Sequence, residues 1–343
     1  MNLLSIASAF PENYYIQGEC LDAMRSADFW ESLNGRSRLL LTKVLEGDSG
    51  IDQRRFMLDR LGDAWGRDAQ ALNEAYEKAA PELASKAVTR ALEKLGLAAK
   101  QVDALFLCSC TGYLCPGVSG HVAEQLGLRE DVFLQDMTGL GCGAAVPLMR
   151  AASAVVAADP DAVVVTVAVE ICSAAFYVED DFGVLISTCL FGDGAAAVVW
   201  SGAGGDWRVG DFESLHVPEY REKIRFTNAG GKLRNQLHKS IPLHASEAVG
   251  RLYAKRKGEP QAWVTHGGGK DVIEQLEQVL PCNELRHARS VMRDYGNLSS
   301  PSVLIALERF LAEANGSEER VWMCAFGAGF SAHSCELVRN CPN

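Results

Sequence analysis

Met137-Thr138-Gly139-Leu140-Gly141-Cys142-Gly143-Ala144-Ala145 is the stretch on which the fold turns. A β-rich apolar run, Val132–Gln135, leads into it, and Gly143–Ala157 follows, apolar almost all round. A helix apolar on every face belongs inside a protein, so the stretch reads as a strand turning sharply into a core helix. Pro147 falls about the first turn, where backbone N–H groups have no helical partner, and does not oppose that helix.

The flanking sequence repeats the theme. Ala104–Cys110 and Ala162–Val169 are further buried-strand runs, with helix candidates at Leu83–Leu95 and Val118–Leu126. Met1–Phe10 is apolar but lacks a basic segment, and Pro11-Glu12-Asn13 makes a turn, so it reads as a first strand and not a signal peptide. The strand Ala195–Trp200 ends in Ser201-Gly202-Ala203-Gly204-Gly205, the clearest internal boundary. Beyond it come an alternating run at Trp207–Leu215, a helix around Ala245–Lys255 and a strand at Ala262–Thr265. Helices at Lys270–Leu280 and Ser302–Glu313 and strands at Val321–Ala325 and Ala332–Val338 complete the chain. Two halves of similar rhythm, 1–204 and 205–343, predict a duplicated layered α/β fold with mixed sheets.

A chain of 343 residues can bury about three-quarters of its unfolded surface and needs no disulfide or metal staple. Its net charge of −11 argues against general nucleic-acid binding, yet leaves room for anionic substrates held by a local basic patch. The eleven cysteines form no C-x-x-C pair, and most sit in apolar runs as small hydrophobes. Cys108/Cys110 and Cys335/Cys341 lack zinc spacing, so no metal is expected. The odd count, without secretory features, favours a reducing cytoplasm. No stretch approaches eighteen uninterrupted apolar residues, so no membrane span is expected.

Three positions carry chemistry. Cys142 sits at the start of a buried helix, where the dipole favours a thiolate and flanking glycines leave room for a carbonyl. Taken alone, it reads equally as a core thiol or a nucleophile. His266 ends the strand Ala262–Thr265 and precedes Gly267-Gly268-Gly269. It supports a proton-accepting or oxyanion-binding role as well as a plain turn. Asn297 lies in Asp294-Tyr295-Gly296-Asn297-Leu298-Ser299-Ser300, with Ser300 as an N-cap and Pro301 as a first helical residue. It is either a turn former or an amide donor to a carbonyl oxygen. The other histidines (His121, His216, His238, His244, His287, His333) read as surface or packing residues.

Taken together and in order, Gly141-Cys142, Glu170, Leu190-Phe191-Gly192-Asp193-Gly194-Ala195, His266-Gly267-Gly268-Gly269 and Asp294–Ser300 resemble the type III polyketide synthases. These are the chalcone-synthase-like branch of the thiolase fold, and the resemblance spans residues 3–338. It implies a thiolase-like α-β-α-β-α layering and a cytoplasmic homodimer. It also implies an acyltransferase that uses acyl-CoA and malonyl-CoA, with no metal or cofactor. Cys142 would carry the acyl chain, and His266 and Asn297 would hold the malonyl thioester carbonyl. Phe191 matches the family's gatekeeping phenylalanine, and Ser299 joins the substrate-binding set. Lys43, Arg54 and Arg55 fall in the family's basic region at the CoA tunnel mouth.

Departures from the family bear on the substrate. Two starter-pocket positions read as the small residues Cys172 and Ala175, and a second gatekeeper phenylalanine is replaced by Asn235. Cys115 stands where plant members place a methionine that reaches into the partner subunit's cavity. These changes imply a starter unlike that of plant chalcone synthases, an aliphatic or acyl-carrier-protein-bound chain. Ala325-Phe326-Gly327-Ala328-Gly329 leans towards single-round ketoacyl-ACP synthases, which form the alternative reading. An inactive partner of the same fold is a further alternative, opposed by the intact Cys142, His266 and Asn297.

Overall fold

In the central strands, successive side chains enter different cores. Val165, Val167 and Val169 face one cluster, while Val164 and Ala168 face another. This is the period-two geometry of a strand buried on both faces, and it explains why these runs are apolar without alternation.

The computed structural model describes residues 1–314 and 316–340. The first half holds β1 (Asn2–Ala9), β2 (Tyr14–Ile16), β3 (Gln53–Arg55), β4 (Ala104–Cys108), β5 (Phe133–Met137), β6 (Val164–Glu170) and β7 (Gly194–Ser201). The second holds β8 (Trp207–His216), β9 (Ile224–Ala229), β10 (Lys232–Leu237), β11 (Ala262–Thr265), β12 (Arg320–Gly327) and β13 (Ser331–Arg339). The helices are α1 (Gln17–Arg25), α2 (Gly35–Glu46), α3 (Ala69–Glu93), α4 (Val118–Leu126) and α5 (Ala145–Ala158), then α6 (Phe182–Leu190), α7 (Ile241–Tyr253), α8 (Lys270–Val279), α9 (Arg286–Tyr295) and α10 (Pro301–Glu313).

Nine strands form one mixed sheet in the order β11-β12-β13-β8-β1-β7-β6-β4-β5. Read inward from either edge, parallel neighbours come first (β5-β4-β6 and β11-β12) and antiparallel ones follow. The two runs meet where β1 pairs with β8 at Asn2–Arg208 and Leu3–Trp207. Helices α5 and α10 lie between the two halves of the sheet, covered by Val198 and Trp200 on one side and Val321, Met323 and Ala325 on the other. Helices α3 and α4 cover one outer face, and α7 and α8 the other. The result is the five-layered, duplicated α-β-α-β-α fold. The N-termini of its two middle helices carry Cys142 and the Asn297–Ser300 segment.

Helix α3 corrects the expectation of a start at Leu83. It begins at Ala69, where Asp68 accepts a hydrogen bond from the Ala71 amide at 2.9 Å, and runs through Pro81. Burial of Leu72, Tyr76, Ala79 and Ala80 ahead of the proline holds the extra turns, so packing overrides local propensity. Gly141–Ala158 is apolar enough over 18 residues to cross a membrane by length and composition alone. Here it is the middle-layer helix, with Leu148, Met149, Ala152 and Val156 buried. Cys341 lies outside the described residues.

Candidate active site

Cys142 sits in a single 3₁₀ turn, Gly141–Gly143, between β5 and α5. The loop after β12 presses on this turn. A β-carbon at Gly327 would lie 2.6 Å from the Gly143 nitrogen and 2.8 Å from that of Cys142, so only glycine fits. The helix start on its own predicts a lowered thiol pKa. Burial wins instead and pushes the Cys142 thiol up to about 12; the Ser299 hydrogen bond pulls it back, and the Glu170 carboxylate adds to the rise.

Glu170, fully buried at the end of β6, ties two loops together. Its Oε2 accepts from the amides of Cys110 (2.9 Å) and Thr111 (3.1 Å) and from Thr111 Oγ1 (2.9 Å). Its Oε1 accepts from Ser300 Oγ at 2.6 Å, so Ser300 occupies the N-cap position of α10 but turns its hydroxyl to Glu170. Ser299 Oγ lies 3.2 Å from Cys142 Sγ and 3.3 Å from Glu170 Oε1. Ser299 holds a left-handed φ of +58°, unusual without a glycine, and its amide donates to Asn297 Oδ1 at 2.8 Å.

Asn297 is fixed at both ends. Its amide nitrogen donates to Leu190 O at 2.8 Å, and its carbonyl accepts from Gly192 N at 3.0 Å. Its Nδ2 donates to Gly268 O at 2.9 Å, which joins it to the loop of His266. His266 is 1% exposed and stands edge-on to Phe326, with ring centroids 5.3 Å apart. Its Nδ1 has no hydrogen-bond partner, and burial lowers its pKa to about 4. The imidazole is therefore neutral at pH 7, able to accept a proton at one nitrogen and donate one from the other.

A cavity opens beside Cys142. It brings together Cys142, Cys172, Ala175, Phe191, Asn235 and Ser299, all named from sequence. His266 and Asn297 do not line it but reach its wall through Phe326–Gly327 and Ser299. Cys115 is exposed on its loop, and the bond to Pro116 is cis. Arg54 is a correction: it is fully buried, with its N–H groups bound to Gln17, Thr188 and Phe191, so it cannot meet coenzyme A. Arg55 is half-buried and donates to the carbonyls of Pro11 and Glu12, held by its own chain. Lys43 alone of the three stands exposed.

Much of the cavity wall escaped the sequence reading. Ile224, Arg225, Phe226, Leu233 and Leu237 come from the β9–β10 hairpin, and Arg225 is the one charged side chain among the lining residues. The signal was there: two six-residue runs separated by Gly230-Gly231, a preferred hairpin turn. Among the described residues, no cluster of three His, Cys, Asp or Glu side chains is placed to hold a metal ion.

The family model for FAE1/type III polyketide synthase-like protein matches residues 19–220, and that for the C-terminal domain of chalcone and stilbene synthases matches residues 225–338. The 3,5-dihydroxyphenylacetyl-CoA synthase of Streptomyces toyocaensis is 29% identical over 333 residues, covering 91% of this chain and 83% of that protein. The 1,3,6,8-tetrahydroxynaphthalene synthase of Streptomyces coelicolor is 29% identical over 274 residues, covering 76% and 72%. Among solved structures, PKS-I of the brown alga Ectocarpus siliculosus matches with a TM-score of 0.89 at 23% identity, over 99% of this chain and 98% of that one.

Proposed function

The chain belongs to the type III polyketide synthase family, and from that premise we propose that it takes an acyl starter from coenzyme A onto Cys142 and extends it with malonyl-CoA. The observation that carries this reading is the largely apolar cavity that opens at Cys142, with Ala175, Phe191 and Asn235 in its wall, next to the point where an acyl chain would be attached.

The steps follow from the residues. Neutral His266 takes the Cys142 proton as Sγ attacks the starter thioester, and coenzyme A leaves as the free thiol carrying that proton. The imidazole N–H and Asn297 Nδ2 then bind the malonyl thioester oxygen. The bond to the malonyl carboxylate breaks, CO₂ departs, and the electron pair forms an enolate whose oxygen those donors stabilise. The enolate carbon attacks the acyl-Cys142 carbonyl and expels the thiolate. Each round adds two carbons, and the chain reloads or cyclises in the cavity. Chemistry of this kind uses the CoA thioesters themselves and calls on no further cofactor. Delivery of the starter by an acyl carrier protein instead of coenzyme A is a separate reading, marked by turnover of carrier-bound starters alone. Both relatives are named for polyhydroxylated aromatic products, and that product class is carried over here.

The proposal includes a homodimer in the cytoplasm. The exposed Tyr113–Cys115 loop is the element offered to the partner, and the ten described cysteines are all free thiols, which suits a reducing compartment. Incubation with malonyl-CoA and a series of acyl-CoA starters, followed by mass spectrometry, tests the activity. Several added two-carbon units are expected, and a single unit or none overturns it. Cys142→Ala should abolish condensation while malonyl-CoA decarboxylation persists.

A further inference from the structure

Arg54 is the fully buried guanidinium of the chain and makes no ion pair among the described residues. A lone buried cation persists only where its N–H groups are met by acceptors. Here Nε donates to Gln17 Oε1 at 2.9 Å, and Nη1 donates to the carbonyls of Thr188 (2.7 Å) and Phe191 (2.9 Å). Nη2 is buried without a hydrogen-bond partner, and burial raises the pKa of the neighbouring Cys20 thiol while the guanidinium pulls it down. The two carbonyls belong to the C-terminal end of α6, the negative end of the helix dipole, which favours a cation. Thr188 and Phe191 both line the catalytic cavity.

The stem of Arg54 also shapes the chain beside it. Gly296 has a φ of +74°, and a β-carbon there would lie 2.6 Å from Leu190 O and 2.9 Å from Arg54 Cγ. Only glycine lets the backbone pass. The next residue, Asn297, pairs its backbone with Leu190 and Gly192. Arg54 therefore underlies one strip that carries both Phe191 and Asn297.

We propose that Arg54 is a positioning residue which fixes Phe191 in the cavity wall and so sets which acyl starters enter, an inference that rests on the polyketide synthase reading of the site. The guanidinium suits the task because its planar fork holds two backbone carbonyls and a side-chain acceptor in one geometry, which the single ammonium of lysine does not reproduce. A buried charge is retained in a place where an apolar side chain would leave the Thr188 and Phe191 carbonyls unpaired.

The test compares kcat/KM for hexanoyl-CoA and dodecanoyl-CoA in Arg54→Lys, with folding scored by circular dichroism. The ratio should shift about ten-fold, the scale on which a pocket separates chains differing by a methylene. Phe191→Ala should move it in the same direction, and the double variant no further than Phe191→Ala alone, because Arg54 acts through Phe191. A merely structural arginine would lower the melting temperature and leave the ratio unchanged. If Arg54→Lys does not fold, Gln17→Leu removes the Nε acceptor, leaves the cation in place and carries the same comparison. An unchanged ratio in the folded variant overturns the proposal, while condensation of either starter leaves the polyketide synthase reading standing. A wild-type enzyme that condenses no acyl-CoA overturns that reading and this proposal with it.

Discussion

Ser299 Oγ lies 3.2 Å from the sulfur of Cys142 and 3.3 Å from Glu170 Oε1, yet the hydroxyl has one proton to give. While Cys142 is a thiol, the charged carboxylate is the better acceptor. Once the sulfur is deprotonated, rotation of the hydroxyl delivers a charge-assisted bond to it. The thiol itself is pushed up to about 12, so thiolate is a rare species at neutral pH. Alkylation of Cys142 by iodoacetamide should therefore accelerate steadily with pH from 7 to beyond 9, without a plateau. A plateau below pH 8 would mean that a stable thiolate exists at rest. Ser299→Ala should slow the same reaction by roughly ten-fold or more, since a hydrogen bond to a charged partner contributes about 1.5–3 kcal/mol.

Glu170 gathers donors from residues 110–111 and 299–300 into one buried point. Glu170→Gln keeps the shape and can leave its oxygen on the Cys110 and Thr111 amides, but its NH₂ group then faces the Ser299 and Ser300 hydroxyls, which must turn round to accept. The loss should be about 1.5–3 kcal/mol, because hydrogen bonds to a charged acceptor are exchanged for neutral ones. Urea denaturation at pH 7 measures it. A change below about 1 kcal/mol, the scale of a single ordinary hydrogen bond, would mean that the loops hold each other without the carboxylate.

Acid should weaken the fold through two buried imidazoles. Burial lowers both His266 and His333 to about 4, from an ordinary value of 6.5. A depressed pKa stabilises the fold in full above the unfolded value, and the contribution is lost as pH falls from 6.5 through 4. Each group is worth about 3 kcal/mol across that window. Asp193 works with the opposite sign: burial raises it to about 6, so its contribution is present below 3.8 and lost as pH rises through 6. Two imidazoles outweigh one carboxyl, and the melting temperature should fall between pH 6.5 and 4. His333→Gln keeps a polar partner for Ser214, which lies 2.9 Å from His333 Nδ1, and should flatten that fall. An equally steep fall in the variant would remove His333 from the account.

Long buried elements were legible in the sequence because their composition reflects their surroundings. Val118–Leu126 and Ala262–Thr265 match the observed helix and strand at both ends. The helix start at Cys142 and the strand end at His266 were legible too, since glycine runs mark sharp turns. The state of the thiol was not. A helix dipole acts locally and can be read from sequence, whereas desolvation depends on which distant strands cover the sulfur. Arg54 failed for the same reason: beside Arg55 it reads as surface charge, and only the crossing of α6 and the Gly296 turn removes it from solvent. His333, read as a packing or surface histidine, is a packing one: it is buried where β13 pairs with β8, with its ring against the Gly143 turn, and only that setting lowers its pKa.

Ala175 closes a 3₁₀ turn, Cys172–Ala175, that follows directly on β6 and forms one wall of the cavity. The turn is held by the Ser173 amide and hydroxyl, which donate to Asp193 at 2.8 and 2.6 Å, so the wall stands on a buried anchor. A larger side chain at position 175 cannot be absorbed by moving that wall and must enter the space beside Cys142. Ala175→Trp should therefore shorten the accepted starter, with kcat/KM for long acyl-CoA esters falling ten-fold or more, roughly the effect of a few methylenes refused by a filled pocket. Acetyl-CoA should be used nearly as before, because Cys142, Ser299 and Asn297 are untouched. Competition assays with mixed acyl-CoA starters, read as product masses, measure the shift. An unchanged product distribution would place the acyl chain against another wall, such as the β9–β10 hairpin, and would remove Ala175 from the starter site.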